Sequence, residues 1–177
     1  AAQLKLGGEV FVTRIDDARG GVGNFDFESR GFNLGAEYGW DTGSARFTLS
    51  HSDVQVDGAD ADGYEALDFG APLGTVLALE MEQQTPWQGL RLGGTVEAAL
   101  DYRMPESADR DLSGYAVLNL FAEYLPPQYH NVTIRAEINN LFDRDYADRA
   151  TYGGEFDVVG TLKEPGRTVS LVVATEF

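Results

Sequence analysis

The sequence predicts an all-β protein, an antiparallel transmembrane β-barrel with about eight strands in this chain. Three observations lead to this prediction. Apolar and polar residues alternate over long segments, the links between these segments are alternately short and long, and no segment is apolar enough for a membrane helix. A spanning helix needs about 20 mostly apolar residues, whereas the longest uninterrupted apolar runs here have four, such as 76–79. A closed β-barrel is the other way to cross a bilayer.

Composition excludes several other classes of protein. The 177 residues include 13 Lys and Arg against 29 Asp and Glu, and this net charge of −16 argues against a nucleic-acid partner, because phosphate binding needs clustered cations. The absence of Cys excludes disulfides, thiolate metal sites and cysteine nucleophiles, and two His leave little for a histidine metal site. With 43% hydrophobic and 11% aromatic residues, a disordered chain is not expected.

Period-2 alternation, which a helix does not produce, marks each strand in turn. It is clearest over 29–41, where the even positions from Phe32 to Trp40 are apolar and the odd positions are Gly or polar. The even-position face of this strand is expected to contact lipid. A turn at 41–44 then leads into a second alternating segment, which predicts a hairpin. The predicted strands are 2–16, 29–41, 45–52, 77–82, 90–103, 116–124, 132–138 and 165–177.

The links between the strands support the same architecture. Short links are predicted at 41–44, 84–89 and 126–131, and long links at 16–28, 53–72, 104–113 and 147–165. Short turns at one end and long loops at the other are the plan of outer-membrane barrels. Aromatic residues lie near both ends, as in interfacial girdles. They are Trp40, Trp87, Tyr124, Tyr129 and Phe177 near the short turns, and Phe32, Tyr102 and Tyr115 near the loops.

A soluble β-sandwich with one buried face would also alternate. Two features favour the barrel instead. The predicted strands run to roughly 11–14 residues, whereas strands of globular proteins average about 5–6. The polar face also carries charges at regular spacing, which suits a wet lumen; they are Arg91, Glu97, Asp101 and Arg103.

Three local motifs resemble a catalytic triad, a calcium-binding loop and a dinucleotide-binding loop, but each lacks the geometry or residues that such a site needs. The His-Ser-Asp motif at 51–53 has triad residue types, but neighbours on a strand point to opposite faces, so we expect the histidine outward and the serine inward. The segment 57–63 lacks the first and last ligands of a calcium loop, and 20–23 lacks the spacing of a dinucleotide fingerprint. The acidic segment 53–68 is interpreted as a solvated loop, with divalent-cation binding as the alternative. We predict no enzyme, no metal site and no cofactor.

Three sequence elements near the C-terminal end occur in a characteristic order and spacing. Residues 139–146 (NNLFDRDY), then 164–167 (EPGR) and the final Phe177 resemble the corresponding elements of TonB-dependent outer-membrane receptors. The segment 114–124 is similar to the third-last strand of that family. These motifs cover about residues 113–177. The earlier part of the chain resembles the family only in the spacing of its predicted strands.

The resemblance implies a fold and a function. Family members have a 22-stranded barrel closed by an N-terminal plug, and they import an iron complex, a siderophore or haem, with energy delivered by TonB. Residues 1–177 are then the C-terminal segment of such a barrel, without the plug, in the bacterial outer membrane. The implied partners are outer-membrane lipid, the iron-siderophore or haem ligand, the TonB complex through the plug, and the barrel-assembly machinery, which recognises the last strand at Phe177.

The residues of the family motifs are interpreted as structural. The amides of Asn139 and Asn140 can hydrogen-bond loop backbone. Pro165 begins a strand without losing a ladder donor. Arg167 can reach the interface or pair with a loop carboxylate such as Glu164. The other members of the set are Leu141, Phe142, Asp143, Tyr146 and Gly166.

Ligand contact is predicted from the loop at 147–163, because aromatic and cationic side chains suit an anionic iron complex. The candidate contacts are Arg149, Tyr152, Phe156 and Lys163. The loop at 53–72 is acidic and is expected to repel such a ligand.

A self-contained eight-stranded barrel with a structural, adhesive or lipid-related role is the alternative, because a chain of this size can close at eight strands. The backbone pairing between 4–12 and 169–177 decides between the two. A piece of a wider barrel forms a curved open sheet whose edge strands do not pair with each other. A continuous ladder between them would indicate a closed eight-stranded barrel.

Overall fold

The computed structural model describes residues 2–19, 23–60, 74–103, 112–129, 131–149, 152–155, 158–161 and 163–176. The strands in these ranges are β1 (Gln3–Arg19), β2 (Asn24–Trp40), β3 (Gly43–Val56), β4 (Ala59–Asp60), β5 (Gly74–Gln84), β6 (Leu90–Ala99), β7 (Tyr115–Tyr124), β8 (Val132–Asn139), β9 (Tyr152–Glu155), β10 (Val158–Thr161) and β11 (Thr168–Thr175). Within the described residues, no helix is long and apolar enough to cross a membrane.

Eight long strands form one antiparallel sheet in the spatial order β1-β2-β3-β5-β6-β7-β8-β11. The two-residue strand β4 pairs with the end of β3, and β9 and β10 form a separate two-stranded sheet. Chain order is therefore kept across the long sheet, which is the connectivity of up-and-down barrels. The predicted all-β antiparallel class is confirmed.

The first and last strands lie at opposite edges of this sheet. In the described residues β1 pairs with β2 and β11 pairs with β8, and no ladder joins β1 to β11. The predicted open sheet is confirmed, and the closed eight-stranded barrel is excluded for this structure. Each edge strand leaves a row of backbone donors and acceptors free for another strand.

Strands β1 and β2, with 17 residues each, extend further than the sequence predicts. The long link predicted at 16–28 is therefore wrong, because most of it is strand. A bulge between Ile15 and Ala18 shifts the register, and Asp17 within it has a φ of 57° and donates its N–H to Asp26 Oδ1 at 3.0 Å. A bulge breaks period-2 alternation, so the pattern disappears where the strand continues.

The extra length of β1 to β3 carries an apolar cluster on the face opposite to Phe32. Its buried members and the residues packed against them are Ala18, Phe27, Val54 and Val56, with Phe25, Tyr102 and Leu112. Tyr102 and Leu112 belong to the β6–β7 link and form an isolated bridge with each other. The cluster therefore ties that link to the wall formed by β2 and β3.

The register sorts the side chains of the eight strands onto two faces. One face is apolar from edge to edge, as a single row of directly paired residues shows: Leu4, Tyr38, Ala45, Met81, Gly94, Leu120, Ile138 and Val169. Side chains on this face are strongly exposed, with Leu6 at 76% and Val10 at 85%. A continuous exposed apolar surface of this kind suits lipid contact. The even-position face of β2 belongs to it.

On both faces, aromatic rings pack directly onto glycines of neighbouring segments. The closest case is on the inner face, where Phe121 lies opposite Gly93 in the register of β6 and β7. A β-carbon at Gly93 would lie 2.5 Å from Phe121 Cε1 and 2.8 Å from Met81 O. The ring therefore occupies the space that the glycine leaves, which is a recognised way to stabilise a glycine within a sheet.

We expect Gly93→Ala to lower the free energy of unfolding by about 1–3 kcal/mol, because the added methyl group forces the Phe121 ring or the backbone to move. Gly35→Ala is the matched control, since Gly35 also faces inward and nothing lies within 4 Å of its added β-carbon. Urea titration of the protein in lipid vesicles measures both variants. Equal losses would show that the Phe121 contact is not the cause.

Candidate functional site

The inner face of the sheet carries charged side chains that pair from strand to strand. Near the β1 edge, Lys5 Nζ lies 3.6 Å and Arg46 Nε 3.1 Å from the carboxylate of Glu37. Arg46 also reaches Glu80, at 3.7 Å. These four residues are directly opposite one another in the register of β1, β2, β3 and β5. Alternating charges therefore cross half of the inner wall.

The pairing continues toward the β11 edge. Glu123 accepts hydrogen bonds from Arg91 Nη2 at 2.6 Å and from Arg135 Nη1 at 3.1 Å. Arg91 also pairs with Glu82 at 3.1 Å, and Arg135 with Glu137 at 2.5 Å. We call these five residues, with Lys5, Glu37, Arg46 and Glu80, the charge ladder. Partly exposed pairs contribute about 0–1 kcal/mol each, so the ladder mainly keeps this wall polar.

The alternation in the sequence identifies only part of this surface. It places Arg91 and Glu97 on the inner face, where the structure has them, but it does not single out Glu37, Arg46 or Arg135. The alternation along each strand already places Glu37, Arg46 and Arg135 on the inner face. Only the strand register shows that Glu37 lies directly opposite Arg46 and that Arg135 lies directly opposite Glu123.

The connection between β8 and β11 begins with a buried asparagine. Asn140 is 3% exposed and has a φ of 51°. Its side-chain amide donates to Arg144 O at 2.8 Å and to Pro165 O at 3.3 Å, and its Oδ1 accepts the N–H of Arg144 at 2.7 Å. Its own N–H donates to Asn119 Oδ1 at 2.8 Å. One side chain therefore joins both ends of the connection, and a backbone bond anchors it to β7.

Asp143 makes the second contact between the two family motifs. Its Oδ1 accepts the N–H of Arg167 at 2.8 Å. A β-carbon at Gly166 would lie 2.8 Å from the same oxygen, so a glycine allows this close approach. Arg167 Nη1 lies 3.5 Å from Leu141 O. We call these contacts, with those of the Asn140 side chain, the motif joint.

The remaining motif residues have more limited roles. Asn139 pairs with Thr168 at the end of the β8–β11 ladder, so of the two predicted amide contacts to loop backbone the structure shows that of Asn140. Phe142 is 74% exposed. The backbone N–H of Arg167 is held by Asp143 and its guanidinium lies near Leu141 O, while its pairing with a loop carboxylate such as Glu164 stays a prediction.

Aromatic stacking holds the start of the β8–β11 connection against the inner wall. The Tyr146 ring lies 4.8 Å from that of Tyr115, whose hydroxyl donates to Asp148 Oδ1 at 3.0 Å. Burial raises the pKa of Tyr146, and the negative charge of Glu164 adds to the effect. The N–H of Glu164 donates to Tyr146 O at 2.9 Å. This backbone hydrogen bond joins the two ends of the β8–β11 connection next to the motif joint.

Arg149, a predicted ligand contact, is 5% exposed. Its Nη2 donates to three backbone carbonyls of the β6–β7 link: Leu100 O at 2.5 Å, Leu112 O at 3.1 Å and Ser113 O at 3.2 Å. Burial lowers the pKa of Arg149, but a guanidinium remains charged. The structure thus shows Arg149 joining two loop bases, and its contact with a ligand stays a prediction.

The structure describes only some of the other residues that were predicted to contact the ligand. Tyr152 begins β9. Lys163 pairs with Asp145 at 2.5 Å, which is an exposed contact. Phe156 and Phe177 lie outside the described residues, as do residues 61–68 of the acidic segment 53–68.

The His-Ser-Asp motif is divided between the two faces of β3. His51 lies on the apolar face, stacked on Phe32 with ring centroids 5.7 Å apart, and its Nδ1 is 2.8 Å from Thr75 Oγ1. Ser52 is buried on the inner face and is 3.2 Å from Ser29 Oγ. The two side chains are therefore separated by the sheet, as predicted. In the described part of the chain, no group of His, Asp and Glu is arranged to hold a metal ion.

A family model matches most of the chain. Residues 10–141 match the β-barrel of TonB dependent receptor-like proteins. The chain belongs to this TonB-dependent receptor family. The protein is located in the bacterial outer membrane.

Relatives agree with this assignment over nearly the whole chain. The heme transporter BhuA of Brucella abortus (strain 2308) is 28% identical over 184 residues, which cover 94% of this chain and 27% of BhuA. The apoprotein form of the FrpB iron transporter from Neisseria meningitidis has a TM-score of 0.75 at 18% identity, covering 98% of this chain and 29% of FrpB. The ferric yersiniabactin uptake receptor FyuA from Yersinia pestis has a TM-score of 0.73 at 14% identity, covering 98% and 28%.

The two structural matches show the fold, since their sequence identities are low. The chain spans less than a third of the length of each of these relatives. All three are transporters or receptors by name.

Proposed function

We propose that the chain is the C-terminal part of the barrel of an outer-membrane receptor that imports an iron complex, a siderophore or haem, with TonB-coupled energy. The open sheet is the observation that supports this most directly. It has the strand order of the family, a lipid-facing side and a polar inner side, but its edges do not meet. Such a wall is suited to surround a pore only together with further strands.

The unpaired edges support the assignment of residues 1–177 to one segment of a larger barrel domain. In lipid, each unsatisfied backbone group costs several kcal/mol, and β1 and β11 each present a row of them. The remaining strands of a 22-stranded barrel satisfy these groups. The plug then belongs to another part of the same protein.

The proposed cargo and partners follow from the family and its named members. BhuA is a heme transporter, FrpB an iron transporter and FyuA a ferric yersiniabactin receptor, so an iron complex is the shared class. The TonB complex acts through the plug, and the barrel-assembly machinery binds strand β11 and Phe177. Lipid surrounds the apolar face.

Within this chain, we propose that the β8–β11 connection contributes to ligand binding through Arg149, Tyr152 and Phe156. The motif joint and the Tyr146 stack hold the base of this connection on the barrel wall. Arg149 contributes by fixing the connection to the β6–β7 link. Aromatic side chains carried on such a base can bind the flat or conjugated part of an iron complex.

The test uses the full-length receptor that contains this chain. Haemin and ferric siderophores are titrated against it, and import is followed in an iron-starved strain. Tyr152→Ala and Arg149→Ala are each expected to weaken binding about tenfold, or about 1.4 kcal/mol. Arg14→Ala is the control, because Arg14 pairs with Glu28 on the outer side of the wall, at 2.7 Å.

The outcomes separate the two parts of the proposal. Unchanged affinity in both variants would remove the β8–β11 connection from the ligand site but leave the receptor assignment intact. Failure of the unsubstituted receptor to bind or import any iron complex would overturn the function itself.

A further inference from the structure

The lipid-facing side of the sheet has a groove centred on Gly94, across β5, β6 and β7. Its volume is about 350 Å³. The walls are formed by six apolar side chains, which are Leu79, Met81, Leu92, Val96, Leu118 and Leu120. Gln83 lies at one end, opposite Leu92 in the register, and Glu82 borders the groove with its side chain turned to Arg91 on the inner face. The groove is thus an apolar depression with a polar end.

The depression follows from the backbone at Gly94. This glycine is directly paired with Met81 on one side and Leu120 on the other. A β-carbon here would lie 2.6 Å from Asn119 O and 2.7 Å from Leu120 Cδ2. The position does not admit a larger residue without displacing backbone, so the groove is built into the strand packing.

The polar end of the groove lies at the short-turn end of the sheet. Gln83 accepts the indole N–H of Trp40 at 2.7 Å and donates to Thr42 Oγ1 at 2.7 Å. Trp87, in the turn between β5 and β6, is 75% exposed. Indole rings prefer the membrane interface, and short turns of outer-membrane barrels face the periplasm. The groove therefore runs from the periplasmic interface toward the bilayer centre.

We propose that this groove is a binding site for one acyl chain of a phospholipid from the periplasmic leaflet, with the headgroup near Gln83 and Trp40. The groove is continuous with the lipid-facing surface, so acyl chains rather than water contact it. Within a bilayer, contact with protein brings no hydrophobic gain. The preference of an acyl chain for the groove must therefore come from dispersion contacts. The side chains of the groove walls make these contacts only when a chain fills the space beside them. A narrow groove suits a single linear chain.

This proposal depends on the outer-membrane location and not on the iron cargo, so either can fail without the other. The test places the full-length receptor in vesicles that contain a phosphatidylethanolamine with a diazirine at the middle of one acyl chain. After irradiation, the labelled residues are mapped by mass spectrometry. Labelling per residue at Leu92, Val96, Leu118 and Leu120 is expected to exceed that at Leu6 and Val10 roughly threefold, a preference of about 0.6 kcal/mol. Leu6 and Val10 are more exposed than the groove walls.

Two matched variants test the shape of the groove. Val96→Phe fills it and is expected to bring its labelling down to the level of Val10. Val10→Phe enlarges an exposed side chain of the same face outside the groove and leaves the pattern unchanged. If Val96→Phe lowers the folded yield, as judged by heat-modifiable gel mobility, Leu92→Phe narrows the groove from its other end.

Three results would overturn the proposal. They are labelling in simple proportion to side-chain exposure, labelling of the groove that persists in the filled variants, and cross-links between the grooves of two receptor copies, which would make the site a protein interface.

Discussion

Replacing Asn140 by Ala is expected to lower the free energy of unfolding by about 3 kcal/mol. The change removes the three side-chain hydrogen bonds to Arg144 and Pro165 at a residue that is 3% exposed. A buried backbone group left without a partner costs about 1–3 kcal/mol. Alanine also adopts the positive φ of 51° less readily than asparagine does. Urea titration of the receptor in lipid vesicles measures the loss.

Two further variants separate these causes. Asn140→Gly removes the hydrogen bonds but accepts the positive φ, so it should be less destabilised than Asn140→Ala. Asn139→Ala is the neighbouring control, because Asn139 is exposed at the end of β8, and it should change stability by no more than about 0.5 kcal/mol. Equal losses at both asparagines would show that the motif joint does not stabilise the barrel.

Leu34→Arg is expected to destabilise the folded barrel by about 2–4 kcal/mol, the cost of a cation on the lipid face near the bilayer midplane. Leu34 is 46% exposed on the apolar face of β2, between Gly8 and Leu49 in the register. The arginine has no partner at this depth, since its neighbours in the row are apolar. Reversible folding into lipid vesicles, followed by urea titration, gives the difference in free energy.

Asn33→Arg is the paired control for the lipid-face substitution. Asn33 lies one position away on the inner face and donates to Glu9 Oε2 at 3.3 Å, so a new guanidinium there meets water and a carboxylate. We expect a much smaller loss than for Leu34→Arg. Comparable losses at the two positions would mean that both faces are packed, which contradicts a lipid face and a lumen face.

The family motifs show why part of the site could be predicted from the sequence. Residues 139–146 and 164–167 were assigned structural roles from their residue types and their spacing. The structure brings them into one joint, in which Asn140 reaches Pro165 and Asp143 reaches Arg167. The sequence contains both halves of the joint, but the contacts between them depend on the β8–β11 pairing that places the two halves side by side.

The features that the sequence did not show share a physical cause. The link at 16–28 was predicted from a loss of alternation, but the loss marks a bulge within continuing strands. Arg149 was named as a ligand contact because a cation suits an anionic iron complex, and only the structure shows that it is buried against the carbonyls of another loop. The backbone N–H of Arg167 donates to Asp143, a residue far away in the sequence, and the residue types alone do not show this contact. Each outcome depends on a contact with a segment distant in the chain.

The sequence by itself determined the fold class, the two faces and the family of this protein. A side-chain period of two is a local property of an extended chain, so it appears in the sequence wherever one side meets lipid and the other meets water. The tertiary structure alone decided which charges form the ladder, how the motif joint closes and where the groove at Gly94 lies. These features need strand register and loop packing, which set distances between residues far apart in the chain, and alternation along one strand does not encode those distances.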